Sequence, residues 1–80
     1  MDNLEKYKSV FIEAFQVKEN QLTGLKYQDV EEWDSVGHMG LMSDLEEAFD
    51  IEMDIDDIID FSSFEKGMEI VGKYNVVING

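Results

Sequence analysis

An 80-residue chain makes one domain, and at that size folding hides only about 60 to 65% of the surface the unfolded chain exposes, so any site it carries is shallow. Nineteen Asp and Glu stand against six Lys and Arg, a formal charge of −13, which repels nucleic acid phosphates and anionic membranes and favours partners with basic patches. With 44% hydrophobic residues the chain folds despite that charge, and with no cysteine it offers neither a disulfide framework, a thiolate metal site nor a Cys nucleophile. Self-repulsion among the acids is expected to cost stability at low salt.

The segment Met1-Asp2-Asn3-Leu4-Glu5 has no apolar signal core, and no stretch approaches the roughly 18 apolar residues of a membrane span, so a cytoplasmic location is expected. From Leu4 onward, Leu4, Tyr7, Val10, Phe11, Ala14 and Phe15 recur at three- and four-residue steps, the period of one helix face. Lys18 to Glu32 shows no sustained period. With isolated apolar residues at Leu22, Leu25, Tyr27 and Val30, it reads as a long loop pinned to the core. A loop of about 15 residues in so small a domain usually has a functional reason.

Asp34 and Ser35, both good N-cap residues, announce a second helix through Val36, Met39, Leu41, Met42, Leu45, Ala48 and Phe49. Gly37 and Gly40 near its start weaken the first turns and leave room for a close approach by backbone or ligand. Asp50 to Asp54 reads as a connection and Ile55 to Ile59 as one short helical turn. Ser62 followed by Glu65 fits a capping box at the start of a last helix, with Phe64, Met68, Ile70 and Val71 as its buried face and its end near Tyr74. The tail Asn75-Val76-Val77-Ile78-Asn79-Gly80 is the one strand-like stretch. The predicted fold is all-α: a single domain over residues 1–80, a bundle of three helices and a short fourth, with a long loop between the first two.

Ser35 stands where a loop meets a helix N-terminus. Such a serine is ordinarily a cap; a hydroxyl exposed there can also carry a phosphodiester, because free amides and the helix dipole favour negative charge. The local pattern leaves both readings open. His38 lies too close in sequence to serve Ser35 as a hydrolytic base, and an exposed role for it is the expectation. The run Asp54-Ile55-Asp56-Asp57 with Asp60 lacks the Gly and the terminal Glu of a calcium loop, so no metal site is assigned and the acidic clusters offer at most loose attraction for divalent cations.

The runs Trp33-Asp34-Ser35-Val36-Gly37-His38-Met39-Gly40-Leu41, Leu45-Glu46-Glu47-Ala48-Phe49, Met53-Asp54 and Phe61-Ser62-Ser63-Phe64 together resemble the acyl carrier protein family, over nearly the whole chain. The resemblance implies a non-catalytic carrier whose Ser35 receives 4'-phosphopantetheine from coenzyme A through a phosphopantetheinyl transferase (holo-ACP synthase). The thiol of that arm would hold acyl groups as thioesters. It also implies a partner-recognition surface on the helix after the serine, with Asp34, Val36, Glu46 and Glu47 at matching positions, for acyl-transferring or acyl-modifying enzymes with basic patches. Val36 replaces the family's usual Leu, and Gly37 and Gly40 stand where fatty-acid-synthesis members carry acids, which points to a specialised carrier. Two other readings remain: an aminoacyl or peptidyl (D-alanyl-type) carrier with the same arm, and an acidic interaction module with no modification. A monomer is expected, since no heptad seam is visible.

Overall fold

The computed structural model describes residues 2–78; Met1 and the last two residues of the tail, Asn79 and Gly80, lie outside the described residues. Among the described residues four helices follow one another: α1 (Asn3–Phe15), α2 (Ser35–Phe49), α3 (Ile55–Asp60) and α4 (Phe64–Gly72), with a single turn of 3-10 helix over Glu19–Gln21 inside the long loop. The expected all-α bundle is present, and no strand forms among the described residues; one isolated antiparallel bridge joins Lys26 to Ser63.

α1 begins where the Asp2 carboxylate accepts the Glu5 amide at 2.8 Å, and it buries Tyr7, Val10, Phe11 and Phe15, the stripe its period dictates. It packs against α2. The interior is unusually aromatic. Phe11 lies edge-on to Trp33 at 5.6 Å between centroids and to Phe64 at 5.1 Å, and Phe15 stacks on Trp33 at 5.0 Å. Leu41, Leu45 and Val71 complete the centre, while Phe49 and Met68 are only partly buried at its margin. Tyr7 reaches through the core to donate to the Phe64 carbonyl at 2.8 Å, and burial pushes its phenol well above the usual range.

The loop is anchored as its apolar residues suggested, with Leu22 and Leu25 buried. Tyr27 instead stays partly exposed. α3 runs to Asp60 rather than Ile59 and α4 ends at Gly72 rather than near Tyr74, and the loop shifts the start of α4. The Tyr27 amide donates to the Ser62 carbonyl at 2.9 Å and the Phe64 amide to the Leu25 carbonyl at 2.8 Å, which holds Ser63 extended against Lys26. α4 therefore starts one residue later than the Ser62–Glu65 pattern implied. Ser63 is the N-cap, accepting the Lys66 amide at 3.0 Å, and Glu65 turns outward to accept the Gly24 amide at 3.0 Å.

α3 is built against the usual logic of burial. Ile55 and Ile59 are 72% and 76% exposed, while Asp57 is 7% exposed. Asp57 accepts Lys73 Nζ at 2.6 Å and the Tyr74 hydroxyl, and the same hydroxyl accepts the Asp54 amide at 2.9 Å. The Lys73 hydrogen bond, followed by that of Tyr74, holds the Asp57 carboxyl below the usual carboxylate range, and Asp57 in turn raises both Lys73 and Tyr74. In the tail, Val76 and Ile78 are buried and Val77 is exposed, an alternation without strand pairing.

Candidate functional site

The start of α2 separates the two readings of Ser35. Asp34 is the N-cap: its Oδ1 accepts the Gly37 amide at 2.8 Å. Ser35 is the first helical residue and is exposed, and among the described residues no hydrogen bond engages its hydroxyl. The capping role therefore belongs to its neighbour. Gly37 is required by the same turn, because a Cβ there would overlap the carbonyl oxygen of Glu32; the loop backbone presses directly on the helix. Gly40 faces open space, so the chain's own backbone approaches closely only at Gly37.

Ser35 borders a cleft of about 400 Å³ between α2 and α3, lined also by Tyr27, His38, Met39, Ile58, Ile59, Phe61 and Ser62. Its walls are mostly apolar. Val36, Met39, Ile55 and Ile59 add exposed apolar surface around it, Val36 at 80% exposure, within a chain whose net charge is −13. Isolated exposed apolar residues are ordinary, but four on the two helices that form one cleft make a patch suited to contact with another molecule.

His38 occupies a different place from the exposed position expected of it. Its imidazole is half-buried and stacks on Trp33 at an interplanar angle of 14°. Trp33 Nε1 donates to His38 Nδ1 at 2.9 Å, and His38 Nε2 lies 2.7 Å from the Ile58 carbonyl oxygen. An indole nitrogen can only donate, so Nδ1 is the acceptor and Nε2 carries the hydrogen donated to Ile58. One turn of helix does bring Ser35 and His38 to the same cleft, yet both ring nitrogens are committed elsewhere.

The acidic residues of α2 divide. Asp34 and Glu47 are exposed. Glu46 is half-buried, and its Oε2 accepts the Met53 amide at 2.8 Å, so it fastens the connection after α2. Glu47 borders a separate hollow with Val10, Glu13, Asp44 and Ala48. Among the described residues no group of three or more His, Asp or Glu side chains is placed to hold a metal ion, and no helix is long and apolar enough to cross a membrane.

Sequence reasoning reached Ser35, Asp34 and Val36 but missed the opposite wall. Ile58, Ile59, Phe61 and Tyr27 join the cleft through long-range packing, and the one local hint was the i, i+4 pair Ile55 and Ile59 in an otherwise acidic run. Compared with known proteins, the chain matches no family model, no curated protein and no solved structure.

Proposed function

We propose that this chain is a carrier protein of the acyl carrier type, bearing 4'-phosphopantetheine on Ser35. The observation that supports it above the others is the division of labour at the start of α2. Asp34 caps the helix, and the adjacent hydroxyl is left exposed and uncommitted at the mouth of an apolar cleft. With Asp34 filling the cap position, Ser35 is not needed to hold the helix start. The amides of the first turn favour the negative charge of a phosphodiester at this point, while the exposed Asp34 carboxylate opposes it in part.

The arm supplies a thiol to a chain that has none, and thioester chemistry is its contribution. The residues of the chain do the rest. The Ser35 oxygen would form the phosphodiester as the pyrophosphate link of coenzyme A breaks, adenosine 3',5'-bisphosphate leaving and the hydroxyl proton being released; Met39, Ile59 and Phe61 give an apolar floor to whatever the arm folds back. Exposed Val36, Met39, Ile55 and Ile59 then meet the transferase and the acyl-handling enzymes, whose basic patches are drawn by the chain's charge. Cargo of the aminoacyl or peptidyl kind would use the same hydroxyl.

The test is an intact mass after incubation with coenzyme A, magnesium and a broad-specificity phosphopantetheinyl transferase, beside Ser35→Ala. The expected result is a single added arm that the variant does not acquire. A folded, previously unmodified sample whose mass does not change refutes the carrier reading and leaves an acidic interaction module.

A further inference from the structure

Among the described residues, the contact of His38 Nε2 with the Ile58 carbonyl at 2.7 Å is the only hydrogen bond that joins α2 directly to α3. On its other side α3 is fastened to α4 by the Asp57 and Asp54 contacts with Lys73 and Tyr74 and by a largely exposed ion pair of Asp60 with Lys66 at 3.4 Å. Between these two fastenings α3 buries little apolar surface of its own: Ile55 and Ile59 face solvent and Ile58 is half-buried. An element attached in this way opens at low cost compared with one packed into the core.

Behind the bond the interior is full. Phe61 lies edge-on to His38 at 6.1 Å and stacks on Phe11 at 6.1 Å, and Trp33, stacked on His38, is itself packed against Phe11 and Phe15. A chain entering deeper than the outer cleft must part His38 from Ile58 and displace Trp33. We infer that the His38–Ile58 hydrogen bond latches the seam between α2 and α3, so that His38 is a specificity-determining residue that keeps a short acyl group in the outer cleft and denies long chains the interior. This rests on the carrier reading for its cargo; the latch itself is a property of the unloaded chain.

Two variants divide the imidazole's two bonds. His38→Gln keeps a donor near the Nε2 position and loses the acceptor for Trp33, whereas His38→Asn keeps an acceptor near Nδ1 and loses the reach to Ile58. In the unloaded protein, amide hydrogen exchange across α3 is expected to accelerate roughly tenfold in His38→Asn, the equivalent of one lost hydrogen bond, and far less in His38→Gln. The protein is then loaded with butyryl- or lauroyl-4'-phosphopantetheine by the transferase, from butyryl- or lauroyl-coenzyme A. In the wild type, butyryl is expected to resist hydroxylamine cleavage better than lauroyl, with the emission of Trp33, the sole tryptophan, unchanged. In His38→Asn lauroyl gains protection and the emission shifts.

Equal exchange in the two variants overturns the latch, because loss of ring packing alone would move both alike. Protection of lauroyl in the wild type with a shifted Trp33 emission overturns the exclusion of long chains, and that comparison stands even if His38→Asn does not fold. If Ser35 accepts no arm, the carrier reading fails and takes the cargo assignment with it, while the exchange measurement still decides the latch.

Discussion

Removing the Asp34 side chain is expected to destabilise the protein where removing the Ser35 side chain does not. In Asp34→Ala the Gly37 amide loses an acceptor at 2.8 Å, a loss that costs about 1 kcal/mol at an exposed cap. The carboxylate's favourable place at the positive end of a 15-residue helix adds a few tenths of a kcal/mol. The first turns hold Gly37 and Gly40, each about 1 kcal/mol poorer than Ala as a helix former, so nothing local compensates. A total of about 1 to 1.5 kcal/mol lowers the melting temperature of a domain this small by roughly 5 to 10 °C. Ser35→Ala, by contrast, removes an exposed and unbonded hydroxyl and should stay within about 0.5 kcal/mol of wild type, and Asp34→Asn should recover most of the loss. Urea unfolding of the three variants at moderate salt reads these differences directly. If Ser35→Ala costs as much as Asp34→Ala, then Ser35 is the cap, and the argument that its hydroxyl is free for modification collapses.

Gly67→Ala should destabilise by about 2 kcal/mol: a Cβ there overlaps the Phe61 ring and the Tyr7 hydroxyl, overpacking that costs about 3 kcal/mol in a filled core, against a helix-propensity gain of about 1 kcal/mol. Adding Tyr7→Phe should return part of that loss in a double-mutant cycle, and a Gly67→Ala protein as stable as wild type would mean that α1 and α4 pack less closely than described. For Asp57, whose folded carboxyl is held low by Lys73 and then Tyr74, stabilisation is present above the unfolded carboxylate value of about 4 and is lost as pH falls through the lower folded value. On the alkaline side the raised Lys73 and Tyr74 retain it up to about pH 10 and lose it as pH rises through their folded values. Thermal melts of Asp57→Asn and wild type should therefore differ most between about pH 5 and 9 and converge toward both extremes; a gap constant over the whole range would show that the carboxylate's charge is irrelevant to its role.

What the sequence disclosed and what it concealed divide along a physical line. The face of α1 and the start of α2 follow from periodicity and cap chemistry, which act within a turn or two of chain. The start of α4 slipped by one residue because Ser62 and Ser63 are equally able to cap, and the choice between them is made by the loop at residues 25–27, far away in sequence. Glu46 was expected on a partner-recognition surface and Asp57 in a loose acidic cluster, yet the partners that draw them inward, Met53 and Lys73 with Tyr74, lie seven or more residues on. At the candidate site, Ser35 and its cap were legible because they are local. The Trp33–His38–Ile58 chain was not, since it depends on where α3 crosses α2.

The inverted burial of α3 bears on the order in which the molecule assembles. A segment that sends two of its three isoleucines outward and an aspartate inward gains little from hydrophobic collapse, and six residues are too few to hold a helix unaided. Its fastenings exist only after the end of α4 and the Trp33 region have taken their places. α3 is thus laid down last and released first. Loss of the Asp57 carboxylate would then speed unfolding and leave refolding unchanged, the kinetic signature of a contact absent from the transition state.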